Sequence, residues 1–264
     1  MDYSRFVSWG SVGASVKGTS HDAESRSCED SLVWDSFALA EFGERLIVVI
    51  SDGAGSATNA EVGSKLVSRS LHEIVKNATS SIRDLDTLSE ETVRSWFLEA
   101  RDLVRKAARD SDGLIRDFAA TALLAIASET SAVIAQVGDG AIVLRADASA
   151  EFQIAVWPDT GEYANETYFI TDEFVAEHIR IAWFDRIDDL VAFSDGLQWL
   201  ALDRKTQKPH SGFFQPLVDA VRKSDIEPGS LAPSLVSFLM SEQVNSKTND
   251  DKTLFIACRL PATS

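Results

Sequence analysis

Three times in this chain an apolar run ends in a small residue and then Asp-Gly. Val48-Val49-Ile50-Ser51 precedes Asp52-Gly53, Ala135-Gln136-Val137-Gly138 precedes Asp139-Gly140, and Val191-Ala192-Phe193-Ser194 precedes Asp195-Gly196. Asp-Gly after a strand is first of all a turn signal, because glycine tolerates positive φ and the aspartate side chain bonds the backbone that follows. At Asp139 that turn reading is strong, since apolar runs at 131–137 and 140–145 flank it as a hairpin would. Asp52 instead opens the small-residue loop Asp52-Gly53-Ala54-Gly55-Ser56-Ala57, which leaves room for a ligand and exposes backbone groups. Asp195 leads into the apolar turn Leu197-Gln198-Trp199-Leu200 and has no hairpin partner.

Two further acidic pairs border predicted strands, Glu29-Asp30 before 31–37 and Asp250-Asp251 before 253–259. Carboxylates at strand ends from distant parts of a chain can meet at one edge of a sandwich. Gathered there they repel, and a multivalent cation makes the arrangement tolerable. The chain has only four histidines, with no local zinc spacing, so oxygen ligands point to Mg²⁺ or Mn²⁺; Ca²⁺ is disfavoured because no EF-hand spacing is present. Two such ions sharing an aspartate can activate a water for in-line attack on phosphorus, a reaction that requires no protein nucleophile.

The elements that must position these groups follow from periodicity. Strands are predicted at 6–16, 31–37, 45–51, 119–127, 131–137, 140–145, 151–157, 166–170, 178–183, 189–194 and 253–259. The run at 45–51 is apolar throughout and predicts a strand buried on both faces. Val62, Leu66, Ser70 and Ile74 with Val67, Leu71 and Val75 predict a helix over 57–77; Val93, Phe97, Ala100, Val104 and Ala107 predict another over 89–109. A second helix pair is predicted at 213–223 and 229–243. Runs of strands interrupted by two helix pairs do not suit βαβ winding. They predict an α+β fold, a four-layer α-β-β-α sandwich of two mainly antiparallel sheets flanked by helix pairs.

Composition sets the outer bounds. The 264 residues are 45% apolar and 25% charged and contain no linker-like stretch, so one domain over 1–264 is expected. Forty-one acidic against twenty-five basic residues give a net charge of −16, which argues against nucleic-acid binding. No apolar run approaches the ~20 residues of a membrane helix, and the first residues lack a signal-peptide core, so a cytoplasmic chain with no membrane partner is expected. Cys28 and Cys258 match no metal spacing; reduced thiols are expected, with one long-range disulfide as the alternative. Trp183, Trp199 and Phe213 read as core aromatics.

The motifs, in order, are Gly18-Thr19-Ser20-His21, Cys28-Glu29-Asp30, Ser51-Asp52-Gly53-Ala54-Gly55-Ser56, Ala120-Thr121-Ala122, Val137-Gly138-Asp139-Gly140, the segment Gly161 to Thr167, Ser194-Asp195-Gly196-Leu197 and Asn249-Asp250-Asp251-Lys252-Thr253. Their succession resembles the metal-dependent Ser/Thr protein phosphatases of type 2C, most closely the bacterial branch with shortened motifs. The resemblance implies a centre of two Mn²⁺ or Mg²⁺ ions. In it Asp52 bridges the ions, the Gly53 carbonyl ligates one of them, Asp195 and Asp250 hold the first, and Asp30, with Glu29 behind it through water, orients the second. Asp139 would serve a weaker third ion. Asp52, Asp30 and Asp195 are thus the expected catalytic ligands. The implied substrate is a phosphoserine or phosphothreonine protein, with a cognate Ser/Thr kinase as counterpart and a monomeric phosphatase.

Three positions depart from the family pattern. The phosphate-binding arginine falls one residue late, at Arg26, with Ser25 in its usual place. The common His after Asp-Gly is Ala54; His21 is a candidate substitute, although a lone His near a turn is more often structural. The usual Asp-Asn pair is Asp250-Asp251, where Asp251 either strengthens metal binding or faces water. These departures motivate a pseudophosphatase as the alternative, a regulatory binding module that keeps the fold. A hydrolase of small phosphate esters is the other alternative.

Overall fold

A computed structural model describes residues 8–39, 42–158, 167–223 and 231–260. In chain order the elements are β1 (Trp9–Val16), α1 (Thr19–Ala23), β2 (Asp30–Leu39), β3 (Gly43–Asp52), α2 (Ala60–Thr79), α3 (Glu90–Asp110), β4 (Ala122–Ala127), β5 (Ser131–Val137), β6 (Ala141–Arg145), β7 (Gln153–Ile154), α4 (Val175–His178), β8 (Arg180–Asp185), β9 (Asp189–Phe193), α5 (Gln198–Ala201), β10 (Leu202–Asp203), β11 (Lys208–Pro209), α6 (Ser211–Lys223), α7 (Ala232–Leu239), α8 (Glu242–Asn245) and β12 (Lys252–Arg259). One five-stranded sheet runs β1-β12-β9-β6-β7 and the other β2-β3-β4-β5-β8, with β10 and β11 forming a separate small hairpin. Every pairing in the two large sheets is antiparallel.

Side-chain alternation explains the layering. On β3, Leu46, Val48 and Ile50 point between the sheets, where they meet Leu123, Ile134, Leu190 and Phe255. Ile47 and Val49 point the other way, under Val67, Leu71 and Val75 of α2 and Phe97 and Val104 of α3. Val191, Leu254 and Ile256 of the second sheet likewise face Phe214 and Val218 of α6 and Leu235 and Leu239 of α7. The predicted four-layer sandwich is therefore the observed one.

Several local expectations shift. α2 starts at Ala60, and Val62 is 52% exposed, so the stripe that enters the core is the one through Val67, Leu71 and Val75. α3 buries Ala108 in place of Ala107 and is capped by Ser89, whose side chain accepts from the Thr92 amide. The run at 151–157 pairs only over Gln153–Ile154. Residues 6–7 and 161–166 lie outside the described residues, and Thr167–Ile170 form no strand; Ile170 instead donates to the Ala120 carbonyl at 2.9 Å. The helix expected at 229–243 divides into α7 and α8 because Ser241 caps a new start, accepting from the Val244 amide; residues 224–230 are again outside the described set. Both cysteines are free thiols.

The largest correction concerns Asp139. β5 and β6 do not form a hairpin, because they belong to different sheets. Asp139 sits where the chain crosses between them, and the turn is made by Gly138 at φ +107°. A carboxylate at a crossover belongs to neither sheet's ladder and is free to face the edge of the sandwich.

Candidate metal centre

Antiparallel pairing brings the acidic residues to one edge. β2 begins where β3 ends, so Asp30 stands directly opposite Asp52. β9 runs out into Asp195, β12 starts just after Asp250 and Asp251, and the β5–β6 crossover delivers Asp139. A cleft at this edge is lined by Glu29, Asp52, Asp139, Asp195 and Asp250, together with Gly53 and His21. Asp30 lies buried behind Asp52.

The carboxylates differ in their surroundings. Asp30 Oδ2 accepts from Ser194 Oγ and Thr253 Oγ1, both at 2.7 Å, while its Oδ1 is buried with no partner. Burial, resisted by those two hydroxyls and aided by the charges of Asp195 and Asp251, pushes the Asp30 carboxyl up to about 7. Burial followed by the charge of Asp139 pushes Asp195 up to about 6, and its Oδ1 is likewise buried without a partner. Asp52 is held well above the ordinary carboxylate range by burial and then by the neighbouring carboxylates of Asp30 and Asp195. Burial raises Asp139 as well, against a 2.9 Å bond from Thr167 Oγ1. Such a cluster is unfavourable with only protons to neutralise it, and buried carboxylate oxygens without hydrogen-bond partners suit a bound cation.

The donor set therefore fits hard divalent ions. Among the described residues no three histidine, cysteine or acidic side chains are grouped closely enough to hold an ion directly. An ion here would keep several waters, as Mg²⁺ characteristically does.

The support around the cluster comes from backbone and hydroxyl groups. The Asp52 amide donates to Thr121 Oγ1 at 3.0 Å, the Thr121 amide donates to the Asp52 carbonyl at 2.8 Å, and Ser51 Oγ donates to the Thr121 carbonyl. The Gly53 amide donates to the Glu29 carbonyl at 3.1 Å. The three Asp-Gly glycines do not need positive φ, contrary to the turn argument. They need close approach: a Cβ on Gly53 would lie 2.6 Å from the Ala60 carbonyl oxygen, and one on Gly196 2.0 Å from that of Asp251.

Asp251 neither lines the cleft nor faces water. It is buried, accepting from the Gly18 amide at 2.6 Å through Oδ1, and through Oδ2 from the Glu29 amide at 2.6 Å and His21 Nδ1 at 2.9 Å. It clamps the β1–β2 connection onto the start of β12, and His21 is part of that clamp. Arg26 turns toward Glu29, donating through Nη2 to both carboxylate oxygens at 2.7 Å, with a further bond to the Gly55 carbonyl at 3.2 Å. Ser25 beside it takes φ +57°. Ala54 places a methyl group on the cleft wall, where it supplies no proton donor. Thr121, Ser194, Thr253 and Asp251 have supporting roles the sequence did not assign, although all four stand inside or beside the motifs that carry the ligands.

Fold and site together define an α-β-β-α sandwich protein with a carboxylate-lined cleft at one edge. The model of the Protein phosphatase 2C family matches residues 17–240, and the chain belongs to that family. It is 33% identical over 254 residues to serine/threonine-protein phosphatase 3 of Escherichia coli strain K12, covering 95% of this chain and 98% of that one. The same fold occurs in the serine/threonine phosphatase Stp1 from Staphylococcus aureus, with TM-score 0.61, 17% identity and 96% of each chain covered. It also occurs in the catalytic domain of the serine/threonine protein phosphatase PstP in complex with two manganese ions, with TM-score 0.59, 16% identity, and 97% of this chain and 99% of that one covered.

Proposed function

We propose that this chain is a Mn²⁺- or Mg²⁺-dependent phosphatase of phosphoserine and phosphothreonine in proteins, working as one domain and as a monomer. The observation that carries the reading is the pair of buried, unpartnered oxygens, Asp30 Oδ1 and Asp195 Oδ1, beside Asp52. Asp52 would serve both ions and the Gly53 carbonyl one of them; Asp195 and Asp250 would hold one ion, and Asp30, with Glu29 through water, the other. Asp139 is proposed for a weaker third ion. When bound, the ions supply the charge that activates a water and neutralises the phosphoryl oxygens. Ser194 and Thr253 hold Asp30 in one orientation, and Thr121 holds the Asp52 backbone. Arg26, at the Glu29 rim, is the proposed phosphate contact on that side. A cytoplasmic setting opposite a Ser/Thr kinase accords with the reading, and among the described residues no helix is long and apolar enough to cross a membrane.

Hydrolysis of p-nitrophenyl phosphate and of a phosphothreonine peptide, with Mn²⁺ and then with EDTA, tests the proposal. Turnover that needs Mn²⁺ and is lost in Asp52→Asn is expected. The commitment of Arg26 to Glu29 and the methyl of Ala54 favour the alternative, a pseudophosphatase; metal binding with no turnover of either substrate would establish it. Turnover confined to the small ester would identify a phosphatase of small phosphate esters. Failure to bind either metal would sink the metal centre and both enzymatic readings with it.

A further inference from the structure

Trp199 and Arg204 stand beside the carboxylate cleft without serving the core. Trp199, expected from sequence to be buried, is 66% exposed on the α5 turn that follows Asp195. The Arg204 guanidinium lies over its indole, 4.5 Å from the ring centroid, and Nη2 donates to Gln198 Oε1 at 2.8 Å. Gln198 is buried, and its amide nitrogen donates to the Asp139 carbonyl. A stack and two hydrogen bonds in series thus fix an exposed guanidinium relative to a cleft aspartate. Holding an arginine in this way leaves most of its planar fork free for a carboxylate or phosphate.

The charge around it is unusual for this molecule. The chain as a whole carries −16, a field that repels any phosphorylated substrate. Arg26, on the Glu29 side of the cleft, is neutralised by Glu29 and Glu24. Arg204 has no carboxylate ion pair among the described residues, and exposed Lys205, Lys208 and His210 follow it on the β10–β11 hairpin. The adjacent acid in the sequence, Asp203, turns its carboxylate back into the hairpin to accept the Lys205 and Thr206 amides, while the Arg204 charge acts on the buried Asp139 carboxyl. An aromatic face edged by exposed cations is complementary to an extended anionic peptide.

We propose that Trp199 and Arg204, backed by Lys205 and Lys208, form a specificity wall that takes acidic side chains flanking the phosphorylated residue. The preferred substrate is then an acidic phosphopeptide, with the peptide backbone lying over the indole and Arg204 forking onto a flanking carboxylate. The proposal rests on the phosphatase reading above and adds to it the chemistry of the substrate.

Two phosphothreonine peptides that differ only in flanking Glu or Gln, together with p-nitrophenyl phosphate, provide the test. With Mn²⁺ the wild-type chain is expected to favour the Glu peptide by about 10-fold in kcat/KM, mainly through KM. Arg204→Ala should bring that ratio close to one and reduce kcat/KM for the Glu peptide far more than for p-nitrophenyl phosphate. Arg204→Lys should keep part of the preference, and raising the salt from about 50 to about 500 mM should shrink it. Equal rates on the two peptides, an undiminished preference in Arg204→Ala, or equal losses on peptide and small ester would overturn the proposal. The last result would make Arg204 a support for Asp139 only. If no phosphoester is hydrolysed, the phosphatase reading fails separately. Calorimetric binding of the two peptides then decides this proposal: tighter binding of the Glu peptide that is lost in Arg204→Ala upholds it, and equal binding overturns it.

Discussion

Asp30 and Asp52 are direct cross-strand partners at the end of the β2–β3 pair. Like charges in that position destabilise a sheet, and burial deepens the penalty. Relief comes from a proton, from a cation or from removal of one charge. Asp30→Asn is isosteric, and its amide oxygen still accepts from Ser194 and Thr253. In EDTA at about pH 8 it is expected to stabilise the chain by ~1–3 kcal/mol in urea unfolding. With Mn²⁺ it is expected to lower phosphatase turnover on the order of 100-fold. A variant less stable than wild type in EDTA would show that the pair is not strained.

The pH dependence follows with a definite sign. Asp30 at about 7 and Asp195 at about 6 lie above the ordinary carboxylate value of about 3.9, so the folded chain holds protons that the unfolded chain has released. Their contribution to stability is fully present below about pH 4, declines as pH rises, and is gone once pH passes 6 for Asp195 and 7 for Asp30. Melting in EDTA should therefore fall between about pH 4 and 7, and Asp30→Asn with Asp195→Asn should flatten that fall. Mn²⁺ should raise the melting temperature more at pH 8 than at pH 5.5, because binding must displace these protons.

Asp251 holds three donors at once, the Gly18 and Glu29 amides and His21 Nδ1. Asp251→Ala strands all three in a buried place and is expected to cost ~2–4 kcal/mol in denaturant unfolding. Asp251→Asn keeps one acceptor oxygen and should cost less. Because the clamp also positions Glu29 and the neighbouring Asp250, Mn²⁺ affinity measured by calorimetry should fall in the Ala variant too. An unchanged affinity would separate the clamp from the centre.

Two glycines of the cluster offer a contrast. A Cβ on Gly196 would come within 2.0 Å of the Asp251 carbonyl oxygen, whereas one on Gly55 meets nothing within 4 Å. Gly196→Ala must push β12 away from the turn after β9 and is expected to cost ~2–3 kcal/mol along with most of the activity. Gly55→Ala should leave thermal stability within ~0.5 kcal/mol of wild type. Equal melting temperatures for the two variants would contradict the close approach.

The legible part of this protein was local. The short unbroken apolar run along 45–51 marks a strand covered on both faces, and the near-four repeat along 57–77 marks a helix, because each pattern reflects which faces meet apolar neighbours. The same patterns placed Asp30, Asp52, Asp195 and Asp250 at strand ends, and those residues do meet at one edge. The hairpin expected around Asp139 failed because a strand pattern carries no information about which sheet the strand joins. The exposure of Trp199 was illegible for a related reason: an apolar turn next to a strand looks alike whether a helix covers it or a cleft opens beside it.

By itself the sequence determined the long strands, the first helix pair and the carboxylates at their strand ends, since each depends on neighbours a few residues away. The tertiary structure alone decided that β5 and β6 part into different sheets, that Asp251 is a buried clamp, that Gly53 and Gly196 are required by close approach and that Arg204 is held over Trp199 beside the cleft. Those outcomes depend on contacts between residues far apart in the chain, such as Gly18 with Asp251 and Asp30 with Ser194 and Thr253. They exist only once both sheets have closed on each other.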